Sequence, residues 1–224
     1  MMSPMPARTM LADDVYELLR SVIMDSSIPP GARVNIEDVA RQLGVSPTPV
    51  RESLARLESA GLVDKVPLRG YRTTHLLDRD ELTELYELRL LIEPNAAAQA
   101  ARRITAVDAA QLRQEISAGR RATEEPTASY QELSGHDERL HDLILEIAGN
   151  ETIRQAYART HCHLHTLRLA FAGTFGPHTV NEHDAVSEAI LAHDAPGAEE
   201  SMRQHIEATS LRVLGHFSTV TGVR

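Results

Sequence analysis

The stretch GVSPTPVRESLARLESAGLV, residues 44–63, is the one on which the fold turns. Gly44-Val45 forms a tight turn. Ser46 stands where a helix N-cap is expected, and Pro47 takes the first helical position, where its missing N–H is no loss. Val50, Leu54 and Leu57 recur at helical spacing, and Gly61 ends the helix as a left-handed cap. Working outward, Val15, Leu18, Leu19, Val22 and Ile23 predict a helix from about Thr9, its N-cap, to Asp25. Ile28-Pro29-Pro30-Gly31 stops it. Asn35 caps a short helix through Leu43, with Val39, Ala40 and Leu43 on one face. On the other side, Leu62-Val63 and Tyr71-Arg72-Thr73-Thr74 predict two short strands joined around Pro67-Leu68-Arg69-Gly70. Three helices and a hairpin make residues 1–75 a winged helix-turn-helix.

From Asp80 onward the pattern is helical throughout. Helices are expected near 80–103, 105–123, 127–148, 151–173, 179–193 and 196–217, punctuated by Pro126, Gly149-Asn150, Gly176-Pro177 and Pro196-Gly197. Pro94 is expected to bend the first of them or interrupt one turn. Residues 80–224 therefore read as an all-α bundle with short connections, joined to the first domain through a linker at 76–79, with a hinge over Thr74 to Arg79. The fold class is mostly α.

The 224 residues are 42% hydrophobic and 25% charged, the make-up of a soluble globular protein. One cysteine, Cys162, excludes an internal disulfide framework and fits a reducing cytosol. No apolar run approaches the ~20 residues of a membrane span, and MMSPMPARTMLADD has no apolar core of a secretory signal. The expected location is cytoplasmic. The net charge of −9 falls entirely after residue 75: residues 1–75 hold nine basic and nine acidic groups, the remainder 14 and 23. Ten of the 11 histidines also lie beyond residue 75, so the halves are built for different partners.

GVSPTPVRESLARLESAGLV, with PPGARV before it and the LRGYR wing after it, resembles the GntR family of bacterial transcriptional regulators, over residues 9–75. A helix opening at Ser46 offers its positive dipole end to a DNA phosphate, and its first turn is placed to enter the major groove. The resemblance implies that Ser46, Thr48 and Arg51 face the groove and that Arg69 and Gly70 sit at the wing tip, on double-stranded operator DNA. Many family members carry arginine where this chain has Pro47, which removes one base or phosphate contact.

In the second half, Asp137 and His141 are four apart, about 40° from each other on a helix and one turn apart. His183 and His205 lie on consecutive helices at similar distances from the turn near Ala195-Pro196, so an antiparallel hairpin brings them to one height. Three imidazoles and a carboxylate suit Zn²⁺, Ni²⁺ or Mn²⁺. Pairs of this spacing also arise by chance in a histidine-rich chain, and a lone helical histidine is commonly a surface or core residue. His161, Cys162, His163 and His165 form a second candidate. Alternate histidines point ~200° apart on a helix, so these three cannot serve one ion. His165 is the one placed to line a pocket, and Cys162 reads as a small buried residue.

Residues 80–217 resemble the FCD ligand-binding domain found in the FadR subgroup of that family, through ELRLLIEPNAAAQAA, the Asp137/His141 pair with AGN following, EHDAVSEAI and MRQHI. The resemblance implies that Asp137, His141, His183 and His205 hold a divalent ion. It also implies that Arg89 points toward an effector pocket and clamps a carboxylate. Leu140 stands where an aromatic residue often precedes the histidine; it is apolar and packs similarly. Arg89 also lies four residues before Glu93, so a helix ion pair is the alternative reading, and the two are compatible. The implied function is a homodimeric transcriptional repressor, not an enzyme, whose operator affinity a small organic acid controls at a metal-containing pocket. The rival readings are a metal-dependent hydrolase or isomerase using the Asp/His₃ centre, and a regulator that senses the metal itself.

Overall fold

In the computed structural model of the chain, residues 7–124, 130–170 and 177–220 are described. Two compact units divide at Leu76 and Leu77. The first opens with α1 (Ala7–Met24), so Thr9 lies inside the helix rather than capping it. Val15, Leu19 and Ile23 of α1 are buried as their spacing requires, whereas Leu18 turns outward at 46% exposure. Strand β1 (Arg33–Val34) is too short to have left a pattern in the sequence. Helix α2 (Ile36–Leu43) is capped by Asn35, whose side chain accepts from the N–H groups of Glu37 and Asp38. Helix α3 (Pro47–Ser59) buries Val50, Leu54 and Leu57 and stops at Gly61, which takes φ +73°. Ser53, also on α3, donates to the Ala12 carbonyl of α1 at 2.8 Å and ties the two helices together. Strands β2 (Val63–Val66) and β3 (Gly70–Thr73) complete an antiparallel sheet in the order β1-β3-β2.

The second unit is all-α among the described residues. It comprises α4 (Arg79–Arg103), α5 (Ala106–Glu124), α6 (Tyr130–Ala148), α7 (Glu151–Ala158), α8 (Cys162–Ala170), α9 (Pro177–Leu191) and α10 (Ala195–Val220). Asp78 caps α4 in a reciprocal box with Glu81, so Asp78 and Arg79 of the expected linker form the start of this helix. Pro94 sits within α4 without ending it. The small buried residues Ala97, Ala98, Ala100 and Ala101 of α4 lie in one core with Ile190, Met202 and Ile206. Expected punctuation at Pro126 and Gly176 lies outside the described residues.

One helix was expected over 151–173; the structure has two. The chain leaves α7 at Arg159, turns through His161 at φ +48° and restarts as α8. Neither proline nor glycine marks the break, which is why periodicity alone reads through it. His161 in the turn and His165 within α8 are therefore not residues of one uninterrupted helix.

Candidate functional site

In the second unit, Asp137 and His141 come from α6, His183 from α9 and His205 from α10. All four are buried, and one ligand atom from each lies within 4.8 Å of the others. His183 Nε2 is 3.4 Å and His141 Nε2 3.8 Å from Asp137 Oδ1. The Nε2 atoms of His141, His183 and His205 have no hydrogen-bond partner. Leaving a buried polar atom unpaired costs on the order of 1–3 kcal/mol. Three such atoms converging beside one carboxylate are the donor set a divalent cation satisfies.

The opposite side of each ring explains why Nε2 presents a lone pair. His141 Nδ1–H donates to Glu93 of α4. His205 Nδ1–H donates to Glu182 Oε2 at 2.9 Å, and Arg212 holds that carboxylate through two bonds of 2.6 and 2.7 Å. His183 Nδ1–H donates to His136 Nε2 at 3.1 Å, and His136 Nδ1–H donates to Glu115 of α5 at 3.0 Å. Each inner imidazole is thus fixed in the Nδ1–H tautomer by an acceptor behind it, the arrangement that raises ligand basicity in metal sites. Burial pushes the His141 imidazolium down to about 4 and that of His183 well below the usual range, so both rings are neutral. Burial raises the Asp137 carboxyl, but His163, through its charge and its Nδ1–H, outweighs it and holds Asp137 ionised.

Glycine keeps one of these partners in place. A Cβ at Gly119 of α5 would stand 2.5 Å from His136 Nε2, so the buried His136 ring occupies the space a side chain would take.

Arg89 is 1% exposed and paired with Glu93, Nε to Oε1 at 2.6 Å. The helix ion pair is therefore present, in a buried setting. Burial opposes the Glu93 charge, and Arg89 followed by His141 overcomes it, holding the carboxyl well below the usual range. Tyr157 donates to Glu93 Oε1 at 2.5 Å and Cys162 to Tyr157 at 2.9 Å. Among the four residues at 161, 162, 163 and 165, the one in contact with Asp137 is His163, whose Nδ1–H donates to Oδ2 at 2.7 Å. The sequence points to His165 as the pocket-facing member of that group; the contact with Asp137 falls to His163 instead. Glu115, His136, Tyr157 and Glu182 carried no signal in the sequence; Glu93 was marked only as the i+4 partner of Arg89, and His163 only as one of the second candidate group.

In the first unit, Ser46 sits at the N-cap of α3 and is exposed, but its side chain makes no cap hydrogen bond. Pro47 and Pro49 lack N–H groups, so the first turn offers backbone donors only at Thr48 and Val50. Thr48 is half-buried. Arg51 is exposed and meets Glu37 at 3.3 Å, a surface pair that contributes ~1 kcal/mol at most and yields readily to a phosphate or base. Arg69 and Gly70 are exposed around the β2–β3 turn, with Gly70 at φ +85°.

Comparison with known proteins places both halves. The family model described as "Bacterial regulatory proteins, gntR family" matches residues 11–72, and that described as "FCD domain" matches residues 84–208. A helix-turn-helix transcriptional regulator from the TAR-I ttuE–ttuC′ intergenic region of Agrobacterium vitis is 34% identical over 138 residues, 59% of this chain and 78% of that protein. The helix-turn-helix transcriptional repressor RspR of Escherichia coli is 26% identical over 199 residues, 88% of this chain and 86% of its own. The structure of E. coli McbR/YncC shares the fold, with a TM-score of 0.67 at 21% identity, covering 93% of this chain and 95% of that one. No helix among the described residues is long and apolar enough to cross a membrane.

Proposed function

The chain belongs to the GntR family of bacterial regulatory proteins, in the group that carries an FCD domain, and from that premise we propose that it is a homodimeric transcriptional repressor whose hold on operator DNA is set by a small carboxylate bound at a divalent metal centre. The observation that carries the metal reading is the set of three partnerless Nε2 atoms around Asp137, each ring secured from behind. Asp137, His141, His183 and His205 hold the ion, which when bound supplies positive charge and coordination positions for a carboxylate oxygen.

Charge argues for an anionic effector. Arg89 and Glu93 offset one another, and Asp137 is the one carboxylate of the four-residue cluster, so a divalent ion leaves the pocket net positive. In a low-dielectric interior that excess is relieved by an anion. Arg89, held rigid by Glu93, is the side chain assigned to orient it. On the DNA side, Ser46, Thr48 and Arg51 face the major groove, while Arg69 and Gly70 meet the adjacent backbone. Two copies reading two half-sites supply the specificity one short helix lacks. The effector acts by binding better to the arrangement with lower operator affinity.

The test is a paired measurement on the full chain. Elemental mass spectrometry counts divalent ions in the wild type and in His141→Ala; fluorescence anisotropy follows binding to DNA enriched by the protein from a random-sequence library, with and without a panel of small organic acids. The expected result is about one ion per wild-type chain, lost in the variant, and DNA release by an acid only from the loaded protein. Arg51→Ala loses DNA affinity and keeps its metal. Release by an acid from metal-free wild type would overturn the pocket assignment.

A further inference from the structure

We infer that Leu68 is an apolar wedge that the wing inserts into the minor groove of DNA, unstacking a base step and bending the duplex; this rests on the reading that the first unit binds DNA. The turn between β2 and β3 runs Val66-Pro67-Leu68-Arg69 and is closed by the Arg69 N–H donating to the Val66 carbonyl at 2.9 Å. Proline takes its second position. Leu68 takes the third, at φ +61°, the place that in such turns favours glycine. Among the described non-glycine residues at positive φ, Ser26, His161 and His193 are polar and Leu68 alone is aliphatic. A leucine adopts this backbone only at a steric cost.

Its side chain gains nothing from the fold in return, being exposed to the full extent at 107%. A singly exposed leucine is ordinary on a protein surface. A leucine that is both fully exposed and held in the backbone conformation of glycine is not. The surroundings say what it meets. Arg33, Lys65, Arg69 and Arg72 are exposed, and none has an ion-pair partner among the described residues. Across the sheet Arg72 lies opposite Arg33 on one side and Asp64 on the other, so the row Arg33-Arg72-Asp64 keeps an excess of one positive charge.

A partner that covers the leucine and meets the cations at once has negative charge beside an apolar interior. The minor groove, with phosphates along its walls and stacked bases at its floor, is that partner, and leucine is among the side chains that enter base steps from this side.

The experiment uses the full chain and a duplex enriched from a random-sequence library by binding to the wild type. Affinity is read by anisotropy, bending by energy transfer between dyes at the duplex ends, and stability by thermal melting. Leu68→Gly relieves the backbone, so its melting temperature stays level or rises, while affinity falls about tenfold and the bend is lost. Leu68→Met keeps an apolar tip and keeps most of the bend. An unchanged bend and affinity in Leu68→Gly, beside lost binding in Arg51→Ala, would overturn the wedge and leave the recognition helix in place. Loss of thermal stability together with affinity would show a structural role and overturn it too. If the wild type enriches no duplex, the DNA-binding reading itself falls and takes the wedge with it.

Discussion

Taking the divalent metal away with a chelator and then dialysing it back perturbs three atoms whose cost can be worked out in advance. His141, His183 and His205 each bury an Nε2 with no partner, and each such atom costs on the order of 1–3 kcal/mol. Occupancy by an ion removes that penalty, so loaded and stripped protein differ by at least ~3 kcal/mol. Mass action sets a similar scale, because a ligand held at a hundred times its Kd stabilises by ~2.7 kcal/mol. For a chain of this size 1 kcal/mol shifts the midpoint by about 2–4 °C, so stripping lowers the melting temperature of the helical unit by roughly 6–12 °C. Circular dichroism melts of stripped, Zn²⁺-, Ni²⁺- and Mn²⁺-reloaded protein read this directly. His205→Ala removes one donor, and its melting temperature should barely respond to any of the ions. Coincident melts for stripped and reloaded wild type would refute the argument, since three satisfied nitrogens cannot cost the same as three orphaned ones.

The supporting residues carry further expectations. Gly119→Ala places a Cβ against the buried His136 ring, dislodges the bond that orients His183, and weakens metal affinity by about 10- to 100-fold in a competitive chelator titration. Arg89→Ala leaves Glu93 buried without its cation and destabilises by ~3–5 kcal/mol in urea unfolding, with most of the loss recovered in Arg89→Met/Glu93→Gln. The single variant should also blunt the response of DNA binding to organic acids. Burial raises the Glu115 carboxyl, but its hydrogen bonds from His136 and Arg139 outweigh this and lower it from 4.5. A depressed carboxylate stabilises the fold above its unfolded value and loses that contribution as pH falls through the folded one. Glu115→Gln is therefore less stable than wild type near pH 6, and the gap closes as pH falls below 4.5 through the depressed folded-state value, as pH-resolved unfolding would register.

What could be read from the chain, and what could not, divides along the range of the interactions. Asn35, Gly44 and Gly61 act on the residues beside them, so the helices of the first unit follow from local chemistry. The Asp137/His141 spacing and the His183/His205 hairpin are likewise short-range arithmetic, and those four side chains do converge. The acceptors behind the rings lie 21 to 48 residues from their partners, on helices whose contacts no periodicity announces. The run of histidines at 161–165 was visible in the sequence, but the start of the helix that carries it was not. The break at His161 carries no proline or glycine, and reading one helix across it rotates every following side chain to the wrong face. At α3, the hydroxyl of Ser46 was expected to serve as a cap and makes no such bond, which leaves it free for another partner.

The filling of the Gly119 position by the His136 ring has a consequence in evolutionary terms. Neither residue belongs to the four-residue cluster, yet they share one volume, so neither drifts alone. A descendant that trades His136 for a smaller residue releases Gly119 to become alanine and gains helix propensity in α5. One that acquires alanine first loses the orientation of His183. Either change costs His183 the acceptor behind it, so the two positions move as a pair, and an alignment of this lineage should hold few sequences with histidine at position 136 and a side chain at position 119.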